Sequence, residues 1–258
     1  MRNAASEGQR YMHRKASDIQ SYNDLMLAYQ ELLNLGYDSL IHKNTDAEVK
    51  FAVEAMALKA GLSLSAIIQL GTVYNELNVS YQMLSRYPWH GTRISKIEHL
   101  ELTWFLFQNL CYKFKEKVKL CFNSQKLACA SLKLEQPNWI KDELRIIERK
   151  FSKEIQDRGN SVHSWTVRDP SLEVLATASF LDEIRLMGVE FEIPTGLEDV
   201  DKHYRRSKEF LKWRASSSIK VAESTLINIL EKKSVKPIDV VLRLKQLISA
   251  ANNGEFRK

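Results

Sequence analysis

Between Ser95 and Cys129 an apolar residue recurs every three or four positions: Ile97, Leu100, Trp104, Phe107, Cys111, Phe114, Val118 and Cys121. Spacings of 3, 4, 3, 4, 3, 4 and 3 place them all on one side of an α-helix, in a coiled-coil-like seam of more than three heptads. Lys113, Lys115, Glu116, Lys117 and Lys119 occupy the other side. A helix that long with one apolar side needs an apolar partner along its whole length. The chain is thereby directed towards helix-on-helix packing.

The remaining pattern agrees. Ser17 or Asp18 can cap a first helix that Gly36 ends in a left-handed conformation. Asn44-Thr45-Asp46 precedes a second helix carrying Val49, Val53, Met56 and Leu58, which Gly61 is expected to break. Ser63 then opens a third helix, which ends before Pro88. Pro137 starts another with Ile140, Leu144, Ile147, Phe151 and Ile155 on one face, and Gly159-Asn160 reads as its end or a kink. Asp169-Pro170 reads as an N-cap and first helical residue, and Gly188 as the end of the helix they open. Val189-Glu190-Phe191-Glu192-Ile193 alternates like a strand but has no pairing mate, so it reads as an extended connector. Helical pattern resumes near Glu198 and runs to about Lys233. Pro237 opens a last helix. The expected fold is all-α. Residues 1–94 form an N-terminal helical region packing on the core, 95–233 the central bundle, and 234–258 a C-terminal helix and tail.

Composition bounds the function. No Gly-rich phosphate loop, HExxH, EF-hand loop or GxSxG occurs, and no cofactor or metal site is read from the chain. Cys111, Cys121 and Cys129 form no CxxC pair and read as reduced packing residues. No apolar run is read as a membrane span, and residues 1–10 lack the apolar centre of a signal peptide, so no membrane partner is expected and the cytoplasm is the expected compartment. The net charge of +6 is uneven. Residues 202–258 hold 14 Lys+Arg against 5 Asp+Glu, or +9, which leaves 24 against 27, or −3, for the preceding 201. The basic section suits nucleic acid or an acidic partner. Within it Arg205, Arg206, Lys208, Lys212 and Arg214 are RNA-binding candidates. Tyr204, Phe210 and Trp213 lie among them as bases' stacking partners, with Phe210 favoured for the core.

The chemically suggestive stretch is Asp157-Arg158-Gly159-Asn160-Ser161-Val162-His163-Ser164. Arginine is a permanent cation that matches phosphate oxygens, and histidine exchanges a proton near neutral pH. A second arginine–histidine pair, Arg93 and His99, reads as surface chemistry because Glu98 and Glu101 can solvate the ring.

An arginine and a histidine at this spacing, after one long amphipathic helix packed on another and before a capped helix, resemble the HEPN superfamily over roughly residues 95–190. The resemblance implies a bundle of about four or five helices, with additional N- and C-terminal helices here. It implies that Arg158 and His163 are the catalytic pair of a metal-independent endoribonuclease, with Asn160, Ser161 and Ser164 as supporting polar groups. It also implies a homodimer in which two motifs meet, RNA as substrate, a toxin or defence role, and an antitoxin or regulatory protein as further partner. Gly159 stands directly after the arginine where many family members carry Asn, Asp or His; Asn160 follows one place later.

Other readings compete. Arg158 can stabilise the last carbonyls of a helix while His163 satisfies a backbone group. The chain is then a non-catalytic helical module that binds protein or nucleic acid through its basic section, or a structural helical oligomer.

Overall fold

The structure, a computed structural model, describes residues 15–34, 46–86, 94–164, 169–190, 192–194, 196–197, 199–231 and 237–255; within its helices the side chains of 32–34, 160–164 and 237 are outside that description. Among the described residues the protein is all-helical. A short 3-10 turn at Ala16–Asp18 precedes α1 (Gln20–Asn34), α2 (Ala47–Ser85), α3 (Lys96–Ser131), α4 (Trp139–Lys150), α5 (Ser152–Ser164), α6 (Pro170–Leu186), α7 (Val200–Glu231) and α8 (Pro237–Asn252).

Helix starts follow local chemistry. Asp46 Oδ1 accepts from the N–H of Glu48 at 2.7 Å and opens α2. Ser95 and Glu98 form a reciprocal capping box at the start of α3: Ser95 N–H donates to Glu98 Oε2 at 2.7 Å and Glu98 N–H donates to Ser95 Oγ at 3.2 Å. The Ser95 amide first, and then its hydroxyl, hold the Glu98 carboxyl below the usual carboxylate range. The 97–121 seam is the inner side of α3, where every member from Leu100 onward is buried.

Three expectations need correction. The two helices separated at Gly61 are one α2 of 39 residues. Ala57, Ala60, Leu64, Ile67, Leu70 and Tyr74 are buried and keep helical spacing straight through the glycine. An interior glycine costs about 1 kcal/mol relative to alanine, less than one such leucine gains on burial. Next, the Pro137 helix divides at Phe151. Ser152 Oγ donates to the Arg149 carbonyl at 2.9 Å, a side-chain bond that competes with the helical ladder. Ile140, Ile147 and Phe151 are on the inner face as expected, but Glu143 and Glu154 are buried there in place of Leu144 and Ile155. Finally, α2 is long and apolar enough to cross a membrane by length and composition, a test that a core helix also passes.

The chain divides into two compact units, the first assembled from three separate stretches of sequence and the second from two. The first holds residues 1–75, 114–148 and 222–258. In it Lys245 pairs with Glu31 at 2.6 Å, buried Glu143 accepts from Asn228 at 2.9 Å, and Tyr22 O–H donates to the Ile68 carbonyl at 3.2 Å. The Tyr22 ring lies on Gly71 so closely that a Cβ there would meet its Cε2 at 2.4 Å. The second unit holds residues 76–113 and 149–221, including α5, α6 and most of α7. The expected Asp169 cap is present: Oδ1 accepts from Ser171 N–H at 3.0 Å, with Pro170 at the first helical position. Gly188 ends α6 at φ +82°. Residues 189, 190 and 192–194 are not strand.

Two glycines on helices should therefore respond oppositely to alanine. Gly71→Ala forces the Tyr22 ring aside and lowers stability by about 1–3 kcal/mol. Gly159, with nothing described within 4 Å of its added Cβ, gains up to about 1 kcal/mol from the same change. Urea titrations of the two variants give the two signs.

Candidate functional site

The described polar chemistry of the second unit gathers on α5, around two arginines. Arg214 comes from α7 and is 5% exposed. Its Nη1 donates to Asp169 Oδ2 at 2.6 Å, Nη2 donates to Glu154 Oε1 and Asp157 Oδ2, both at 3.1 Å, and Nε reaches Glu154 Oε1 at 3.3 Å. The guanidinium lies 4.7 Å from the centre of the Trp104 ring. One planar fork therefore engages three carboxylates through its edge and lies near an indole ring, which lysine cannot do. Glu154 and Asp169 are buried, so each needs this cation to offset its loss of water. Cys111 is buried beside them; burial first, then the Glu154 charge, pushes its thiol well above the ordinary range, so it is unreactive.

Arg158 lies four residues after Glu154 and is half-buried. Its Nε donates to Asn109 Oδ1 at 2.8 Å, and its guanidinium carbon sits 4.3 Å from the centre of the Tyr112 ring. Glu154 is the residue that would normally pair with it along the helix, at i and i+4. Arg214 has taken both Glu154 and Asp157. Among the described residues Arg158 forms no ion pair, and its terminal nitrogens have no hydrogen-bond partner.

The motif forms the last two turns of α5 and is helical throughout. The expected break at Gly159-Asn160 does not occur, because Gly159 keeps helical backbone and α5 continues to Ser164. Positions 158 and 163 are thus about 140° apart around one helix axis. The side chains of Asn160, Ser161, His163 and Ser164 lie outside the described residues.

The basic candidates on α7 separate. Arg205 and Arg206 are exposed. Lys208 is half-buried with its amine 5.8 Å from the Tyr204 ring centre, and Lys212 pairs with Glu209 at 3.2 Å. Arg214 is withdrawn as an RNA contact, since it is buried and held by three carboxylates. Phe210, expected in the core, is 38% exposed, and Trp213 is 68% exposed. The inward side of α7 is instead Ser207, Leu211, Arg214 and Ser218. His99 is a further correction: it is buried rather than on the surface. Burial, and then the Lys208 charge, lower its pKa from 6.5. Arg93 lies outside the described residues.

The carboxylate cluster was missed in the sequence. Its signal was a charge on the inner stripe of two helices: Glu154 three places after Phe151, and Arg214 three after Leu211. The cysteines are buried, as expected. No protein-family model matches the chain, and no curated protein or solved structure is significantly similar to it.

Removing the central cation should be costly. Arg214→Ala leaves buried carboxylates unpaired and lowers stability by about 3–5 kcal/mol, whereas Lys212→Ala, which breaks a pair with an exposed Glu209, changes it by less than about 1. Denaturant midpoints compare the two. A pH effect follows from His99. Its folded pKa is depressed, so its contribution is full above the unfolded value of 6.5 and is lost as pH falls below it. Melting temperatures between pH 7.5 and 5.5 should fall in the parent and fall less in His99→Gln.

Proposed function

We propose that the protein is a metal-independent endoribonuclease of HEPN type, acting in the cytoplasm as a homodimer. The observation that carries this reading is the state of Arg158. Its Nε is fixed by Asn109 and its plane by Tyr112, while both carboxylates nearest it along α5 are drawn to Arg214. A fork so oriented, with no ion pair among the described residues, fits the two non-bridging oxygens of a phosphodiester.

The chemistry needs a base, an acid and charge stabilisation at phosphorus. Arg158 supplies the last. One His163 removes the proton of the RNA 2′-hydroxyl, whose oxygen attacks the adjacent phosphorus. The bond from phosphorus to the 5′-oxygen breaks, and that oxygen takes a proton from a second histidine. A 2′,3′-cyclic phosphate and a 5′-hydroxyl result. Positions 158 and 163 diverge around α5, which favours two motifs meeting across a dimer over one motif closing on itself. A toxin or defence role, with an antitoxin or regulatory protein as partner, belongs to the same reading.

His163→Ala should lower cleavage at least about a hundredfold and leave the melting curve intact. Arg158→Ala should lower cleavage as far, and Arg158→Lys should recover little, because lysine lacks the fork. Cleavage should persist in excess EDTA and leave cyclic phosphate ends. A His163→Ala protein that cuts RNA at the parental rate would end the assignment. The exposed Arg205, Arg206 and Trp213 favour one other reading, a nucleic-acid-binding module without catalysis. It predicts RNA binding with no cleavage in the parent.

A further inference from the structure

We propose that the outer face of α7 is a binding surface for single-stranded nucleic acid, with Trp213 as the base-stacking platform and Lys202, Arg205 and Arg206 as the phosphate contacts. The inference deepens the ribonuclease reading, on which it rests for RNA as the natural strand, and it can be tested without cleavage.

Helical periodicity makes the face continuous. Lys202, Arg206 and Trp213 follow at intervals of four and seven, so they fall within about 40° of one another around the axis. All three are exposed. Phe210 lies beside them and Arg205 at the edge. The row from Lys202 to Trp213 spans about 17 Å. Phe210 and Trp213 contact each other with ring centres 6.1 Å apart and planes inclined by 31°. One indole face is therefore braced from the side while the residue stays 68% exposed.

Charge on this face is positive. Of its two acidic neighbours, Asp201 pairs with Lys96 at 2.5 Å and Glu209 with Lys212 at 3.2 Å. Arg206 and Lys202 have no such partner among the described residues. The Lys208 amine is held below the usual lysine range, first by burial and then by the neighbouring Lys212 charge, which reports crowding of cations along the helix.

The kind of exposed apolar group selects the ligand. Phe210 and Trp213 are the large apolar side chains exposed on the described part of α7. A helix that lies on a membrane buries an apolar stripe over several turns, which two aromatic residues in one turn do not provide. Aromatic rings between phosphate-binding cations are what unpaired bases use, since every base has a face to stack. A duplex keeps its bases stacked on each other and offers only its backbone.

The experiment uses the full chain and an oligouridine of about twelve nucleotides bearing 2′-O-methyl groups, which blocks attack by the 2′-oxygen. Fluorescence anisotropy compares it with its duplex and with phosphatidylserine vesicles. The single strand should bind best. Trp213→Ala should weaken it about tenfold, Trp213→Phe should retain most of the affinity, and Arg206→Glu should flatten the salt dependence. Circular dichroism melting checks that each variant folds as the parent does. Equal affinity for the duplex, a preference for vesicles, or unchanged binding by Trp213→Ala would each overturn the proposal. Cleavage by a Trp213→Ala protein that binds normally overturns this surface and leaves Arg158 and His163 in place. Binding through Trp213 without any cleavage does the reverse.

Discussion

One guanidinium organises the second unit. Arg214 sits among Glu154, Asp157 and Asp169 with the Trp104 ring against it, and these residues come from α7, α5, the start of α6 and α3. Apolar packing is tolerant of small rotations about a helix axis. A planar cation with five donors is not, because each donor has a direction. The cluster therefore acts as a registration device, setting how α5 and α7 are turned as well as that they touch. Its assembly gives three carboxylates and one cation, an acidic excess that only close hydrogen bonding makes tolerable in the interior.

This arrangement also decides what α5 presents. Its two acidic residues near Arg158 face the core, and Arg158 is held from α3 by an amide and a phenol ring. Two arginines on facing helices thus have opposite fates. One is neutralised by three carboxylates, and the other forms no ion pair among the described residues. The same division recurs on α7 itself, where Arg214 turns inward and Arg206 outward, eight residues apart on one helix.

The helices were legible because their signals are local. The seam of α3, the Asp169 cap and the Gly188 stop depend on neighbours within a few residues, and each was placed correctly. Gly61 misled because propensity weighs little against continuous burial on both sides of it. Phe210 misled for a related reason. Arg214, not the aromatic, takes the inward position on that helix, and a charge is the last residue type expected there. The partners that make it possible lie 45 and 60 residues away, and no local pattern reports them. The candidate pair at 158 and 163 was found by type and spacing. What the sequence could not supply is that Asn109 and Tyr112 hold the arginine, since those residues belong to a different helix.

Asp169 carries a narrower lesson. One of its oxygens takes the Ser171 amide and hydroxyl at the start of α6, and the other takes Arg214. Asparagine would keep the first duty and lose the charge. Glutamate would keep the charge on a longer arm that no longer closes the turn. Of the twenty side chains only aspartate meets both demands, so the beginning of α6 and one of the three ion pairs of Arg214 rest on a single carboxylate.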